Sequence, residues 1–284
     1  MNKIRSLHQA RQEFSTEHKC REYLRRMRWP DGVTCPRCGS KHVTYMKSRE
    51  KWLCKCRYQF SVTAGTIFHK THIDLPRWMI AIWQIVHSPK GISSKQLQRE
   101  LGTTYKTAWY MAKRIRWAIQ HTFLGVVVDG TVEIDESIIN ADGGLATGNV
   151  KFNTKDVLGI ASRESGVLRM VVLRRLFRFE IERVCSKNFG QVSQIYSDAA
   201  TRLRFLKNYA PHGYINHWLG YADGDVHVNT VESAWALFKR GLVGVFHHVS
   251  SKYLQEYLDE FAFRFTYRKH REDMFDQILM HCAA

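Results

Sequence analysis

The chain has 284 residues, of which 44% are hydrophobic and only five are proline, so two or three folded domains are expected rather than disorder. Its most apolar run, residues 75–89, contains Arg77 and Gln84 and is too short to span a bilayer, and the N-terminus lacks the apolar core of a signal peptide. These features argue against a membrane partner and indicate a cytoplasmic protein.

The net charge of +17 is confined to the front of the chain. Residues 1–124 contain 24 Lys and Arg against 7 Asp and Glu, whereas residues 125–284 contain 19 of each class. A basic front part joined to an electrically balanced back part indicates a nucleic-acid-binding segment followed by a different kind of domain. A solvated basic surface that binds no nucleic acid is the alternative interpretation.

Cysteine spacing marks the first motif along the chain. A short basic helix is predicted to begin under a Ser15 or Thr16 cap and to end at Pro30. Four of the seven cysteines follow within 22 residues: Cys35, Cys38, Cys54 and Cys56. In a chain with no export signal this set favours metal binding over disulfides, and four thiolates complete the tetrahedral shell of a structural Zn²⁺. The sequence therefore predicts a zinc ribbon within residues 1–68.

The second cysteine pair is shorter than usual. Cys35 and Cys38 have ordinary C-x2-C spacing, but Cys54 and Cys56 are one residue closer. This spacing narrows the angle that the two sulfur atoms form at the metal. His42 is therefore an alternative ligand. A redox dithiol at Cys35 and Cys38 is the rival interpretation, although the flanking residues lack the βαβ pattern of that motif.

Helical periodicity continues through residues 69–124. One helix begins near Pro76, a second begins at Ser93 and breaks at Gly102, and a third restarts just beyond. The last two have a helix-turn-helix outline, which also occurs in proteins that bind no DNA. Five side chains of the last helix lie off its apolar face and are available for a DNA groove and its phosphates: Lys106, Tyr110, Lys113, Arg114 and Trp117.

After Gly125 the pattern changes to strands. β-branched residues surround Asp135 in "VVVDGTVEIDESII", a hairpin is predicted around residues 164–166, a helix follows over "FEIERVCSKNF", and another strand, "VSQIYSD", ends at Asp198. This order predicts a mixed α/β sheet. Carboxylates at strand ends are candidates for ligand binding, although Asp198 could instead cap a following helix and Asp135 could pair with a base.

The stretch "HVNTVESAWALFKRG", residues 227–241, begins an amphipathic helix. Its buried stripe is predicted to contain Val231, Trp235, Phe238 and Leu242. On the adjacent face Glu232 and Lys239 lie two turns apart, with only Ala236 between them. That spacing leaves room for a substrate, although a solvated Glu on an ordinary helix is the alternative.

The order of these motifs resembles the DDE transposases of bacterial insertion sequences, in the group with an N-terminal zinc ribbon. The resemblance extends over nearly the whole chain, and its motifs are "RWPDGVTCPRCGS", "QFSVTAGTIF", "VEIDES", "IYSD", "HVNTVESAWALFKRGLVGVFHHVS" and "YLDEFAFRFTYR". It implies a ribonuclease-H-like catalytic domain over residues 125–284, preceded by the zinc ribbon in residues 1–68 and the helix-turn-helix region in residues 69–124.

The same resemblance implies a catalytic site and a reaction. Asp135, Asp198 and Glu232 are the expected acidic triad, holding Mg²⁺ or Mn²⁺ through hard oxygen ligands. Lys239 and Arg240 are expected to contact a DNA phosphate. The expected partners are the element's terminal inverted repeats and a target DNA, bound by a homodimer or a larger synaptic oligomer.

The chain departs from the family's pattern at several points. The second cysteine pair is short, Thr266 replaces a usual Asn, and Asn229 shares a helical face with Glu232 and is an alternative third ligand. Two other functions stay open at this stage. One is a zinc-ribbon, helix-turn-helix regulator with an inert back half, and the other is a nuclease or resolvase that hydrolyses strands without joining them.

Overall fold

The structure is a computed structural model that describes residues 3–140, 154–215 and 224–282. In these residues the helices are α1 Leu7–Glu13, α2 Glu17–Arg28, α3 Leu75–His87, α4 Ser94–Leu101, α5 Tyr105–Phe123, α6 Arg178–Asn188, α7 Asn229–Gly241, α8 Leu254–Thr266 and α9 Arg271–Cys282. The strands are β1 Val43–Met46, β2 Lys51–Cys54, β3 Gln59–Phe60, β4 Val128–Asn140, β5 Thr154–Ser162, β6 Leu168–Val172, β7 Phe189–Asp198 and β8 His212–Ile215. Within the described ranges no helix has the length and apolarity needed to cross a membrane.

The chain divides into two compact units. Unit 1 comprises residues 1–88, 94–122 and 270–284, and unit 2 comprises residues 89–93 and 123–269. The final helix, α9, therefore belongs to the unit built from the front of the chain. Its attachment is aromatic and polar: Phe275 lies 5.3 Å from Phe14 between ring centroids, and the Tyr23 hydroxyl donates to Asp276.

The helices predicted in the front part are confirmed. The Thr16 hydroxyl accepts the Lys19 N–H at 3.3 Å and caps α2, and the Thr104 hydroxyl accepts the Thr107 N–H at 3.2 Å and caps α5. Four residues on the apolar face of α5 are fully buried: Ala108, Met111, Ile115 and Ile119. A three-stranded antiparallel sheet, β1-β2-β3, precedes them.

Unit 2 is built on a five-stranded mixed sheet in the order β6-β5-β4-β7-β8. β4 runs antiparallel to β5 and parallel to β7, and β7 runs parallel to β8. The predicted hairpin is the β5–β6 pair, and the predicted helix and strand before Asp198 are α6 and β7. The prediction of a mixed α/β sheet is confirmed.

The two faces of β4 contact different helices. Val132 and Ile134 lie in an apolar core with Ile181 of α6, whereas the alternate residues Glu133 and Asp135 hydrogen-bond to residues of α7. The predicted buried stripe of α7 is confirmed, since Val231, Trp235, Phe238 and Leu242 are each at most 5% exposed. α7 is thereby held against the strand that contains Asp135.

The outer edge of β6 is covered by α8. The Leu168 N–H donates to the Thr266 hydroxyl at 3.0 Å, and the Val172 N–H donates to the Gln255 side-chain oxygen at 2.9 Å. The Gln255 side-chain amide donates to the Met170 carbonyl at 2.8 Å. These bonds satisfy backbone groups that an edge strand leaves unpaired, and they assign Thr266 a structural role.

Candidate functional site

Three carboxylates of unit 2 meet where β7 ends beside the interior of the neighbouring parallel strand β4. Asp135 and Glu136 lie in β4, Asp198 is the last residue of β7, and Ile134 pairs with Ser197 in the register. One carboxylate oxygen from each of the three acids lies within 4.8 Å of the others. Sheet pairing thus brings together Asp135 and Asp198, which are 63 residues apart in sequence. Hard oxygen donors at this separation fit a divalent cation.

Asp135 is the most perturbed acid of this cluster. Burial raises its pKa to about 7, with further increases from the negative charges of Asp198, Glu136 and Glu232. A carboxyl with this pKa exchanges its proton near neutral pH. Bound divalent cations favour the deprotonated form, so a cation and a proton compete for this group.

Glu136 was missed by sequence reasoning, which singled out only its neighbour. Both of its oxygens accept from Arg202: Nε donates to Oε1 at 2.8 Å and Nη2 to Oε2 at 2.9 Å. Burial raises the pKa of Glu136, and Arg202 opposes that rise. The guanidinium therefore compensates one negative charge at the edge of the cluster. Its position directly after Asp135 in "VEIDES" was the only sequence signal.

The side chain of Trp235 orients Asp135. Its indole N–H donates to Oδ2 of Asp135 at 3.1 Å. α7 approaches the sheet closely at Gly159, where an added Cβ would lie 2.6 Å from both Trp235 Cζ2 and Val231 Cγ2. A larger residue at 159 would push α7 away from β5. The periodicity predicted a core position for Trp235, and only the fold shows its polar contact.

Glu133 anchors the first turn of α7. This fully buried carboxylate accepts the backbone N–H groups of Thr230 at 2.7 Å and Val231 at 3.1 Å, and the Thr230 hydroxyl at 3.0 Å. Arg163 donates to the same carboxylate at 2.8 Å. A negative charge at a helix N-terminus is favourable because it satisfies free N–H groups and interacts with the helix dipole. Glu133 thus sets where α7 begins relative to β4.

Glu232 lies in the first turn of α7, half-buried, and its charge contributes to the raised pKa of Asp135. It is not one of the three acids whose oxygens lie within 4.8 Å of each other in the described residues. Asn229, the first residue of α7, is exposed. His227 accepts from Arg163 at 2.9 Å through Nδ1.

The basic residues predicted on α7 lie in its last turn. Lys239 and Arg240 are both exposed, and Arg240 Nε donates to the Ala236 carbonyl at 3.1 Å. Ala236 is exposed between Glu232 and Lys239, so the predicted open stripe on this face is present. Two cations therefore lie two turns beyond Glu232.

The four predicted cysteines come together in unit 1. Their sulfur atoms all lie within 4.8 Å of one another, with Sγ–Sγ distances of 3.8 Å for Cys35–Cys56 and 3.6 Å for Cys38–Cys54. Tetrahedral Zn–S bonds of about 2.3 Å place sulfur atoms roughly 3.8 Å apart, so the cluster fits a structural Zn²⁺. His42 is not in this cluster. The short second pair reaches the site, and Arg57 directly after it adopts a left-handed φ of 66°.

The predicted DNA-binding residues of α5 border a pocket of about 580 Å³ within unit 1. Lys106, Tyr110 and Arg114 line it with Trp109 and His72. Tyr110 is 50% exposed and accepts a 3.0 Å hydrogen bond from Arg114. Lys113 lies outside this lining, with its Nζ 5.4 Å from the Trp109 ring centroid.

Comparisons with known proteins agree with this arrangement. Residues 127–266 match the ISXO2-like transposase domain, and residues 15–59 match the transposase zinc-ribbon domain. A protein of Halobacterium salinarum, described as an uncharacterized protein in transposable element ISH50, is 27% identical over 277 residues, covering 88% of this chain and 91% of the relative. The chain therefore belongs to the DDE transposases of insertion sequences that have an N-terminal zinc ribbon.

Proposed function

We propose that this chain is the transposase of an insertion sequence, cutting DNA at the element's ends and joining the freed strands to a target. The observation that carries the proposal is the carboxylate cluster of Asp135 and Asp198 within the matched transposase domain. The proposed catalytic part has a ribonuclease-H-like fold. Water hydrolyses a strand at the element's end, and the freed 3′-hydroxyl then attacks the target phosphodiester in a second in-line displacement.

Asp135, Asp198 and Glu232 are the proposed ligands of Mg²⁺ or Mn²⁺. When bound, such ions activate the attacking oxygen and neutralise the leaving oxygen. Trp235 keeps one oxygen of Asp135 in a fixed direction, and Asp135 must lose its proton before it binds a cation. We assign Glu232 rather than Glu136 as the third ligand because both Glu136 oxygens are engaged by Arg202. Lys239 and Arg240 hold the DNA phosphate.

The front part of the chain is the proposed end-binding region. α4 and α5 form a helix-turn-helix, and Lys106, Tyr110, Lys113 and Arg114 contact the terminal inverted repeats. Support comes from the excess of 24 basic over 7 acidic residues in positions 1–124. Coupled joining of two ends requires at least two protomers, so a homodimer or larger synapse is part of the proposal.

The test uses the full chain with labelled element-end DNA, an unlabelled target duplex and Mg²⁺, and separates nicked from joined products by gel. We expect joined product from the natural chain and none from Asp198→Asn. Asp225→Asn is the matched control, because Asp225 is an exposed acid of the same unit and stands outside the carboxylate cluster. It should join at the natural rate.

Three outcomes distinguish the candidate functions. Joining that requires Asp198 supports transposition. Nicks that never become joined product would identify a nuclease or resolvase. Sequence-specific binding with neither product, at any Mg²⁺ or Mn²⁺ concentration, would contradict an enzymatic role and favour a regulator.

A further inference from the structure

A short exposed segment of unit 2 combines arginines with phenylalanines. Residues 174–179, which we call the Arg–Phe segment, follow β6 and include the first two residues of α6, and Arg174, Arg175 and Arg178 are exposed. Phe177 and Phe179 are 53% and 66% exposed. The segment is held in place by Leu173, which is buried in the core of the unit. Large apolar side chains exposed together between cations indicate a surface that binds another molecule.

The charge of this surface is positive although residues 125–284 contain equal numbers of basic and acidic side chains. A pocket of about 480 Å³ at the segment is lined by Arg174, Arg175, Phe177, Phe179, Glu180 and Arg183. Glu180 is its one carboxylate and is paired with Arg183 at 2.6 Å. Arg174 also interacts with Glu180, and Arg178 is 3.8 Å from Glu182, so four arginines accompany two carboxylates here. The surface is therefore complementary to a polyanion.

The sheet places this segment at the same end of its strands as the carboxylates. β4 and β6 both run antiparallel to β5, so β4 and β6 run in the same direction. Ser137 of β4 and Val172 of β6 both pair with Val157 of β5 and therefore lie at the same level of the sheet. The Arg–Phe segment thus leaves the sheet about two residues beyond the level of Asp135, at the end of the sheet where β7 also ends. Two strand spacings amount to about 10 Å, less than the roughly 12 Å width of the DNA major groove.

We infer that the Arg–Phe segment contacts the target duplex during strand transfer. Arg174, Arg175 and Arg178 bind phosphates, and Phe177 and Phe179 press against a base step and bend the duplex. Neither contact reads base sequence, which suits a target rather than an element end. This inference rests on the proposed function. The alternative occupant is a second copy of the chain.

Joining kinetics provide the first test. In the full chain, Arg174→Ala with Arg175→Ala should raise the apparent KM for the target duplex about tenfold, while nicking of element-end DNA stays within twofold. Lys187→Ala is the matched control, since Lys187 is exposed in the last turn of α6, whereas the Arg–Phe segment ends in the first turn. A target KM that matches this control would overturn the inference.

DNA binding provides the second test, and it gives a result even if the natural chain has no joining activity. Fluorescence anisotropy compares a 30-base-pair mixed-sequence duplex with the same duplex carrying a central two-base mismatch, over a range of NaCl. The double arginine variant should reduce the log–log salt slope by about 1.8, at about 0.9 per lost phosphate contact. Phe177→Ala with Phe179→Ala should abolish the preference for the mismatched, more easily bent duplex.

Two results would reject the DNA contact. One is an unchanged salt slope and an unchanged mismatch preference in both variants. The other is a change in oligomer mass, measured by sedimentation, with DNA binding intact, because that result would assign the surface to a second copy of the chain. Circular dichroism melting checks that the exposed substitutions leave the fold unchanged.

Discussion

Glu133 is a buried acid that several hydrogen-bond donors hold in place. It accepts from the first turn of α7 and from Arg163, and it has no exposed surface. A buried charge is tolerated only when it is fully paired, and here the pairing also positions the helix that contains Glu232. Glu133 is therefore a positioning residue and not a metal ligand.

Replacing Glu133 by Gln should destabilise unit 2. The amide nitrogen of the introduced glutamine would face groups that donate hydrogen bonds, so at least one charge-assisted hydrogen bond is lost. We therefore expect the free energy of unfolding to fall by about 2 kcal/mol. Urea denaturation measures this free energy of unfolding. Glu164→Gln is the matched control, because Glu164 also accepts a backbone N–H, from Thr131 at 2.9 Å, but is exposed. That control should change stability by less than about 0.5 kcal/mol. Equal losses in the two variants would contradict the anchoring role.

The choice between Glu232 and Glu136 as third ligand can be tested directly. We expect Glu232→Gln to reduce joining about 100-fold or more at fixed Mg²⁺, because a ligand charge is lost where Asp135 and Asp198 already meet. Glu136→Gln should stay within about tenfold of the natural rate, since its carboxylate is engaged by Arg202. Single-turnover assays measure both rates. The reverse order of losses would assign Glu136 to the metal.

At the scale of elements, the edge strand β6 depends on side chains of α8 for its hydrogen bonds. Thr266→Val keeps the shape but removes the acceptor of the Leu168 N–H. We expect a loss of about 1 kcal/mol, read as a lower melting temperature by calorimetry. The exposed Thr201→Val is the control and should melt as the natural chain does. No difference between the two variants would mean that solvent satisfies the β6 backbone equally well.

The zinc ribbon is the element with the least core of its own. Its strands have four, four and two residues, and Trp29, Trp52 and Phe60 form its main apolar contact. We expect one Zn²⁺ per chain, and chelation should unfold this region because metal binding supplies much of its folding free energy. Metal analysis and hydrogen exchange of residues 33–60 measure these effects. Cys56→Ser should reduce zinc retention. Cys185→Ser is the control and should retain zinc, because Cys185 is buried outside the cysteine cluster.

For the whole molecule, the asymmetric charge predicts strongly salt-dependent DNA binding. With the entire excess of +17 in residues 1–124, we expect affinity for a mixed-sequence duplex to fall about 1000-fold between 50 and 200 mM NaCl. Lys106→Ala should lower the salt slope by about 0.9, for one lost phosphate contact. Anisotropy titrations measure both, with the exposed Lys207→Ala of unit 2 as the control. A shallow slope in the natural chain would contradict phosphate contacts by this region.

Local pattern accounts for the elements that the sequence predicted well. The β-branched run around Asp135, the hairpin, the strand ending at Asp198 and the apolar stripe of α7 depend on periodicity within a few residues, and all are present. The cluster of four cysteines could also be predicted from the sequence, because the spacing of metal ligands is a local property. The catalytic assignments of Asp135, Asp198 and Glu232 stay predictions, motivated by their order and by family resemblance.

The sequence by itself determined the family, the strand, hairpin, helix and strand that lead to Asp198, the cysteine set and the separation of charge along the chain. Only the tertiary structure decided that Glu136 joins the carboxylate cluster, that Glu133 anchors α7 and that Trp235 bonds to Asp135. It also decided that α9 packs with the front of the chain. The physical reason is distance along the sequence: Glu133 and Asp135 meet partners about 100 residues away, and no periodicity or spacing rule encodes such a contact.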